Sequence, residues 1–288
     1  MAKKMNKIDY TDIPETLENH PFYGLELDDE QIKFRDAIWD KNKDIVFCNS
    51  KAGTGKTLIA VGTANLLVQY GLYEKIIYVC SPCNEFRLGF MPGDLTSKAE
   101  VYYEPLYSAM QTLGISPFTA IDNGSLVSQK YDDVGYIKPL TDVYLRGCNL
   151  DNAVVILEEM QNYDVEIAKK VLTRMCKNTK VICIGHTGQN DLQKKERSGF
   201  DKYIQHFANK HDNRVAICYL THSHRSWIAE WADELDNEST SKISNMSIET
   251  LKAYDGANVS SPYWSDLSEA LIKELTVGYN AYEEWNEE

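Results

Sequence analysis

The sequence predicts a doubly wound α/β protein with a mostly parallel sheet, and three observations predict it. Five short runs rich in β-branched and apolar residues recur along the chain: Asp44–Asn49, Lys75–Cys80, Ala153–Leu157, Lys180–Gly185 and Arg214–Leu220. Helical patterns alternate with them at Lys56–Tyr70, Lys98–Leu113, Val165–Lys177, Phe200–Asn209 and Ser226–Leu235, as parallel strands joined by crossover helices require. Most of the strand runs are continuously apolar instead of alternating, the mark of strands covered on both faces.

Taken in order, residues 1–27 show no periodicity and are rich in Pro, Asn and Asp, so they read as an extended arm. Asp28–Lys43 carries apolar side chains at Ile32, Phe34, Ala37, Ile38 and Trp39, an amphipathic helix. The α/β domain then runs over residues 28–237. Within it, Gly114–Asn152 is irregular and reads as an insertion with short strands. Residues 238–288 form an acidic C-terminal extension with one helix expected at Ser265–Thr276.

Composition narrows the class. With 43% hydrophobic and 25% charged residues in 288, wholesale disorder and fibrous architectures are excluded. No apolar run approaches the ~18 residues of a membrane helix. The N-terminus has no apolar segment behind its lysines, so a cytoplasmic location is expected and no membrane partner. The net charge is −13, and the stretch from Glu238 onward holds ten acids against three lysines. An acidic chain does not grip nucleic acid nonspecifically through its whole surface, so any such contact must come from a local groove. The seven cysteines are odd in number and mostly embedded in apolar runs, which reads as reduced core thiols. Cys80-Ser81-Pro82-Cys83 is a lone CxxC without a second ligand pair, better explained by packing than by zinc.

The chemistry starts in DIVFCNSKAGTGKTLIAVGTANLL. A strand runs into Ser50-Lys51-Ala52-Gly53-Thr54-Gly55-Lys56-Thr57, and a helix follows at once. This is the context of a Walker A loop: successive backbone N–H groups wrap phosphates and the helix N-terminus adds its positive end. Gly53 and Gly55 permit positive φ and close approach of an anion. Lys56 reaches the β- and γ-phosphates, and the Thr57 hydroxyl is placed to ligate Mg²⁺. Residues Lys51 to Thr57 are therefore the candidate binding residues for ATP. The strict pattern opens on glycine, and Ser50 stands there instead.

Such a loop needs an acid on a neighbouring strand. Ala153–Leu157 ends in Glu158 and Glu159. The first is assigned to the Mg²⁺ shell and the second to the attacking water. Adjacent strand residues point to opposite faces, so the strand tip must bend for both to act.

The order of these blocks resembles that of PhoH-like proteins, a P-loop ATPase family related to the RecA-like helicase core. The likeness extends from Asp29 to Asp236. It is carried by KAGTGKT (Lys51–Thr57), LGFMPGDL (Leu88–Leu95), YLRGCNLDNAVVILEEMQN (Tyr144–Asn162), LTRM (Leu172–Met175), GHTGQND (Gly185–Asp191), RSGF (Arg197–Phe200) and LTHSHRS (Leu220–Ser226). The resemblance implies a single RecA-like core with a helical C-terminal tail. It further implies Gln189 as a γ-phosphate or water sensor, Arg225 as an arginine meeting the γ-phosphate from its own or a neighbouring chain, Gln161 beside the acids, and Gln31 as an adenine reader. A homo-oligomeric ring, hexameric in the family pattern, and single-stranded RNA are the partners it implies. The chain departs from the family at Glu158 and His186, where aspartate is usual, and at Ser81, where arginine precedes the proline.

Weaker features have plainer readings beside them. His222 and His224 alternate like metal ligands, yet no third ligand accompanies them, and a loop presenting Arg225 explains them better. Lys194, Lys195, Arg197 and Lys202 read equally as a solvated helix start or as a phosphate-backbone contact. Tyr102, Tyr103 and Tyr107 fall at helical spacing with Leu106 and Met110, as packing residues do. The function expected is an Mg²⁺-dependent ATPase acting on or with RNA, with an ATP-gated switch of very slow turnover as the alternative. A small-molecule kinase would need an arginine-rich lid, and Gly114–Asn152 offers only Arg146.

Overall fold

The computed structural model describes residues 13–81, 101–122, 135–145, 148–189, 192 and 198–229. Six strands form one all-parallel sheet: β1 (Ile45–Ser50), β2 (Lys75–Cys80), β3 (Ile137–Thr141), β4 (Ala153–Leu157), β5 (Thr179–Gly185) and β6 (Val215–Leu220). Their order across the sheet is β3-β2-β4-β5-β1-β6. The helices are α1 (Asp29–Trp39), α2 (Lys56–Gln69), α3 (Glu104–Thr112), the single turn α4 (Pro117–Ala120), α5 (Val165–Leu172) and α6 (Phe200–Ala208).

Strand side chains alternate between two cores, which is why the runs read as continuously apolar. Val46, Cys48, Ile76, Tyr78, Val154, Ile156, Ile182 and Ile184 face the layer of α1, α2 and α3. Phe47, Ile77, Val79, Val155, Leu157, Val181 and Cys183 face α5 and α6. Helix α2 is buried along Ile59–Leu67 and crosses the sheet toward β2, so its sequence is apolar nearly all round. The doubly wound class expected from the alternation is the one observed.

The departures from expectation are local. Residues 13–27, read as part of an extended arm, instead pack on the domain: Leu17 and Phe22 are buried, and the Trp39 indole donates to the Pro14 carbonyl at 3.2 Å. Gly62 on α2 makes the room, since a Cβ there would lie 2.9 Å from Phe22 Cζ. The insertion contributes β3, an edge strand with Pro139 in it, where a missing N–H is tolerated. Helix α5 ends at Leu172, short of Lys177, with the Thr173 hydroxyl bonded back to the Lys169 carbonyl. Helix α1 stops at Trp39, before Lys43, because the Asp40 carboxylate takes the Asn42 N–H in a turn. Lys180 secures that turn: it is buried, donates to the Asp40 and Lys43 carbonyls at 2.8 and 2.6 Å, and burial pushes it down to about 8.

By internal contacts the chain divides into Met1–Arg225 and Ser226–Glu288, an earlier boundary than the one at 237. The helix expected at Ser265–Thr276, most of the one at Ser226–Leu235, and Cys83, Leu88–Leu95, Arg146, Lys194, Lys195 and Arg197 lie outside the described residues. Tyr103 is buried, and Tyr102 and Tyr107 pack on the same core. Among the described residues no helix is long and apolar enough to cross a membrane.

Candidate active site

The site forms at the C-terminal ends of the strands, around the turn between β1 and α2. Gly53 and Gly55 take φ of +77° and +79°, the left-handed conformation that a side chain resists. The Lys51 N–H donates to the Leu220 carbonyl at 3.2 Å, and the Thr54 hydroxyl donates to the Lys51 carbonyl at 3.1 Å, so the loop is tied to β6 and to itself. Ala52 lies half-buried in the turn of the loop, and Gly55 is the cap of α2, whose N-terminal N–H groups start at Lys56.

The two acids arrive from the far side of β5. The sequence leads one to expect them on a strand next to the loop strand, but β5 lies between β1 and β4. Two strand spacings amount to about 9.5 Å. The loop and the first turn of α2 span that gap: the hydroxyl of Thr57, the second residue of the helix, donates to Glu158 Oε1 at 3.0 Å. The bend at the strand tip is made by Glu159 itself, at φ +49°. That turn directs Glu159 back to the loop, with its Oε1 3.6 Å from Lys56 Nζ.

Glu158 is wholly buried, and burial together with the charge of Glu159 pushes its carboxyl up to about 7. Lys56 and the hydroxyls of Tyr78 and Thr57 work in the opposite direction. Gln161 locks the second acid. Its amide N–H donates to Glu159 Oε2, and its Oε1 accepts the His186 N–H at 3.0 Å. Gly185 at the end of β5 allows this, since a Cβ there would sit 2.5 Å from Gln161 Oε1.

The segment after β6 closes over the loop. Glu30 on α1 accepts the Thr221 N–H at 2.5 Å and the Thr221 hydroxyl at 2.7 Å, bonds that hold its carboxyl below the usual range. The His224 N–H donates to the Gly53 carbonyl at 2.9 Å. Arg225 then lies on its own chain's loop: a Cβ on Gly53 would be 2.4 Å from Arg225 Cγ. Gln31 sits beneath. Its Oε1 accepts the Asp28 N–H at 3.2 Å in the cap of α1, and its Nε2 donates to the Thr54 carbonyl at 3.0 Å. It therefore ties helix to loop, whatever it does toward a base. The His224 Nε2 lies 3.0 Å from both Asp28 Oδ2 and Gln31 Nε2. Gln189 lies exposed on the turn after β5, its N–H bonded to the His186 carbonyl at 3.2 Å, and Asn49 holds the same turn through Thr187.

Thus Lys56, Thr57, Glu158 and Glu159 come together, with Arg225 and Gln31 against the same loop. Tyr78 and Asn49 escaped sequence reasoning, because each lies within a strand run and reads as packing. The donor set suits a hard cation: a hydroxyl and a carboxylate oxygen converge beside the phosphate nest. Among the described residues no three His, Cys, Asp or Glu side chains form a metal cage. A cation would thus be held by Thr57 and Glu158 together with phosphate oxygens, the usual manner of Mg²⁺.

Comparison with known proteins bears on this arrangement. The PhoH-like protein of Bacillus subtilis (strain 168) is 37% identical over 161 residues, 55% of this chain and 47% of that protein. That of Mycobacterium leprae (strain TN) is 34% identical over 204 residues, 70% and 51%. Protein PhoH of Escherichia coli (strain K12) is 31% identical over 199 residues, 67% and 52%. The chain spans about half the length of these curated relatives. Among solved structures, the HK97 bacteriophage large terminase gives a TM-score of 0.43 at 13% identity over 81% of this chain and 47% of that one. The Pif1 helicase from Candida albicans gives 0.41 at 14% over 83% and 49%. Those two likenesses are too distant to carry function. The sequence profile described as PhoH-like protein, in contrast, matches residues 26–234, a span that holds the loop, both acids and the arginine segment, and the chain accordingly belongs to the PhoH-like family.

Proposed function

We propose that this chain is an Mg²⁺-dependent ATPase whose arginine serves its own nucleotide. The observation that carries the reading is the convergence of two elements a hundred residues apart: Thr57 meets Glu158 at 3.0 Å and Lys56 meets Glu159 at 3.6 Å. The positive-φ glycines supply the nest for phosphates. Thr57 and Glu158 would hold the magnesium ion, which when bound neutralises charge on the phosphoryl group. Glu159, oriented by Gln161, accepts the proton of the attacking water. Lys56 and Arg225 stabilise the charge that develops, and Gln189 contributes to orienting the water.

Coupling to single-stranded RNA and assembly into a hexameric ring are parts of the proposal that rest on family resemblance alone. The position of Arg225 on its own loop supports action on its own chain's nucleotide. The test is steady-state hydrolysis with and without single-stranded RNA, beside nucleotide binding by calorimetry. Lys56→Ala should abolish binding, and Glu159→Gln should keep binding while losing turnover. Equal turnover in wild type and Glu159→Gln would refute the enzyme.

Two observations favour a second reading, a nucleotide-gated switch with slow hydrolysis. Glu158 stands where the family usually has aspartate and is one methylene longer, which shifts the geometry of a bound cation, and His186 replaces a second usual aspartate. Under that reading nucleotide changes assembly, seen as a change in mass, at a turnover too slow to regulate.

A further inference from the structure

Glu158 is held by a group outside every motif. Tyr78 lies in the middle of β2, fully buried, in register with Ile156 of β4. Its hydroxyl donates to Glu158 Oε2 at 2.9 Å. The other carboxylate oxygen accepts the Thr57 hydroxyl, and the Glu158 N–H donates to the Val79 carbonyl at 2.9 Å. The acid is thus tied to β2 by backbone and side chain, and to α2 by its second oxygen.

We propose that Tyr78 is the positioning residue of the metal-holding carboxylate, pinning Oε2 of Glu158 so that Oε1 stays on the Thr57 side. The proposal rests on the reading of Thr57 and Glu158 as the cation's holders. A glutamate has one more rotatable bond than an aspartate, so its carboxylate needs an anchor if it is to stay in one place. A phenol rising from the neighbouring strand provides one, and it is rigid because the ring itself is packed in the core. The pair is mutual: a buried hydroxyl or carboxylate deprived of its partner carries a desolvation penalty. Partners that orient a metal ligand commonly govern metal affinity by about 10–100-fold.

The test uses the full chain and a fluorescent, non-hydrolysable ATP analogue. Nucleotide affinity is measured in EDTA, and Mg²⁺ is then titrated at saturating nucleotide. Tyr78→Phe should leave the affinity in EDTA unchanged and raise the half-saturating Mg²⁺ about tenfold or more. In a Glu158→Gln background the same change should add nothing. Should Tyr78→Phe prove unstable, 4-fluorophenylalanine incorporated at position 78 removes the donor while keeping the ring and its size, and it should raise the Mg²⁺ requirement in the same way. An unchanged Mg²⁺ requirement in Tyr78→Phe overturns the assignment, as does an equal effect with and without Glu158. So does a loss of affinity in EDTA that accounts for the whole change. Lys56→Ala separates the levels. If it binds the analogue like wild type, the nucleotide site itself is misread; if it loses binding while Tyr78→Phe is silent, only the role of Tyr78 falls.

Discussion

Replacing Glu158 with glutamine should stabilise the nucleotide-free protein at pH 8. The carboxyl is wholly buried, and burial plus the nearby Glu159 raise it from 4.5 to about 7. Between those values the folded state keeps a proton that the unfolded state has released, so stability falls as pH rises through this window. Below about 4.5 both states are protonated and the penalty vanishes; above 7 it is complete. At 1.36 kcal/mol per unit the full penalty is about 3 kcal/mol. Glutamine has the shape of the protonated acid, and its amide still meets the hydroxyls of Thr57 and Tyr78. Urea unfolding of both proteins in EDTA at pH 8 and pH 5 measures the difference, with other titrating groups cancelling. The variant should be more stable by about 3 kcal/mol at pH 8, and the gap should shrink by more than half at pH 5. A gap that does not change with pH, or a less stable variant at pH 8, would refute the electrostatic argument.

Three further outcomes follow from particular contacts. Gly53→Ala places a Cβ 2.4 Å from Arg225 Cγ at φ +77°; calorimetry should show nucleotide affinity reduced about tenfold or more, with the circular dichroism spectrum intact, since left-handed backbone costs about 1–2 kcal/mol for a non-glycine residue. Arg225→Ala should slow turnover about 10³-fold, and mixing it with Lys56→Ala chains should restore nothing; recovery in the mixture would show that the arginine acts between chains. Gly62→Val would drive its side chain into Phe22 and Leu113, 2.9 and 3.2 Å from the Cβ position, and should lower stability by about 1–3 kcal/mol in urea without changing nucleotide affinity.

Much of the molecule was legible in one dimension because its signals are local. A strand, a glycine-rich turn, a lysine and a helix lie within two dozen residues, and backbone geometry alone makes that stretch a phosphate nest. The apolar runs announced a sheet covered on both sides. Glu158 and Glu159 stood out as paired carboxylates closing an apolar strand. Local signals also mislead: Leu17 and Phe22 sit in an aperiodic stretch that reads as an arm, yet both are buried, and Phe22 docks on α2 through the space left at Gly62.

The amino-acid order was sufficient for five of the six strands, the loop and the identity of its charged groups, since each depends on neighbours a few positions away. Strand order, in contrast, is set by how crossover helices pack, and only folding placed β5 between β1 and β4. Folding likewise brought Arg225 onto Gly53, turned Gln31 toward Thr54, and set the Tyr78 hydroxyl on Glu158. Those contacts join residues far apart in the chain, through side chains whose types are equally at home in a core or at a helix start. No periodicity encodes them, and they exist because a close-packed interior leaves each polar atom few places to find a partner.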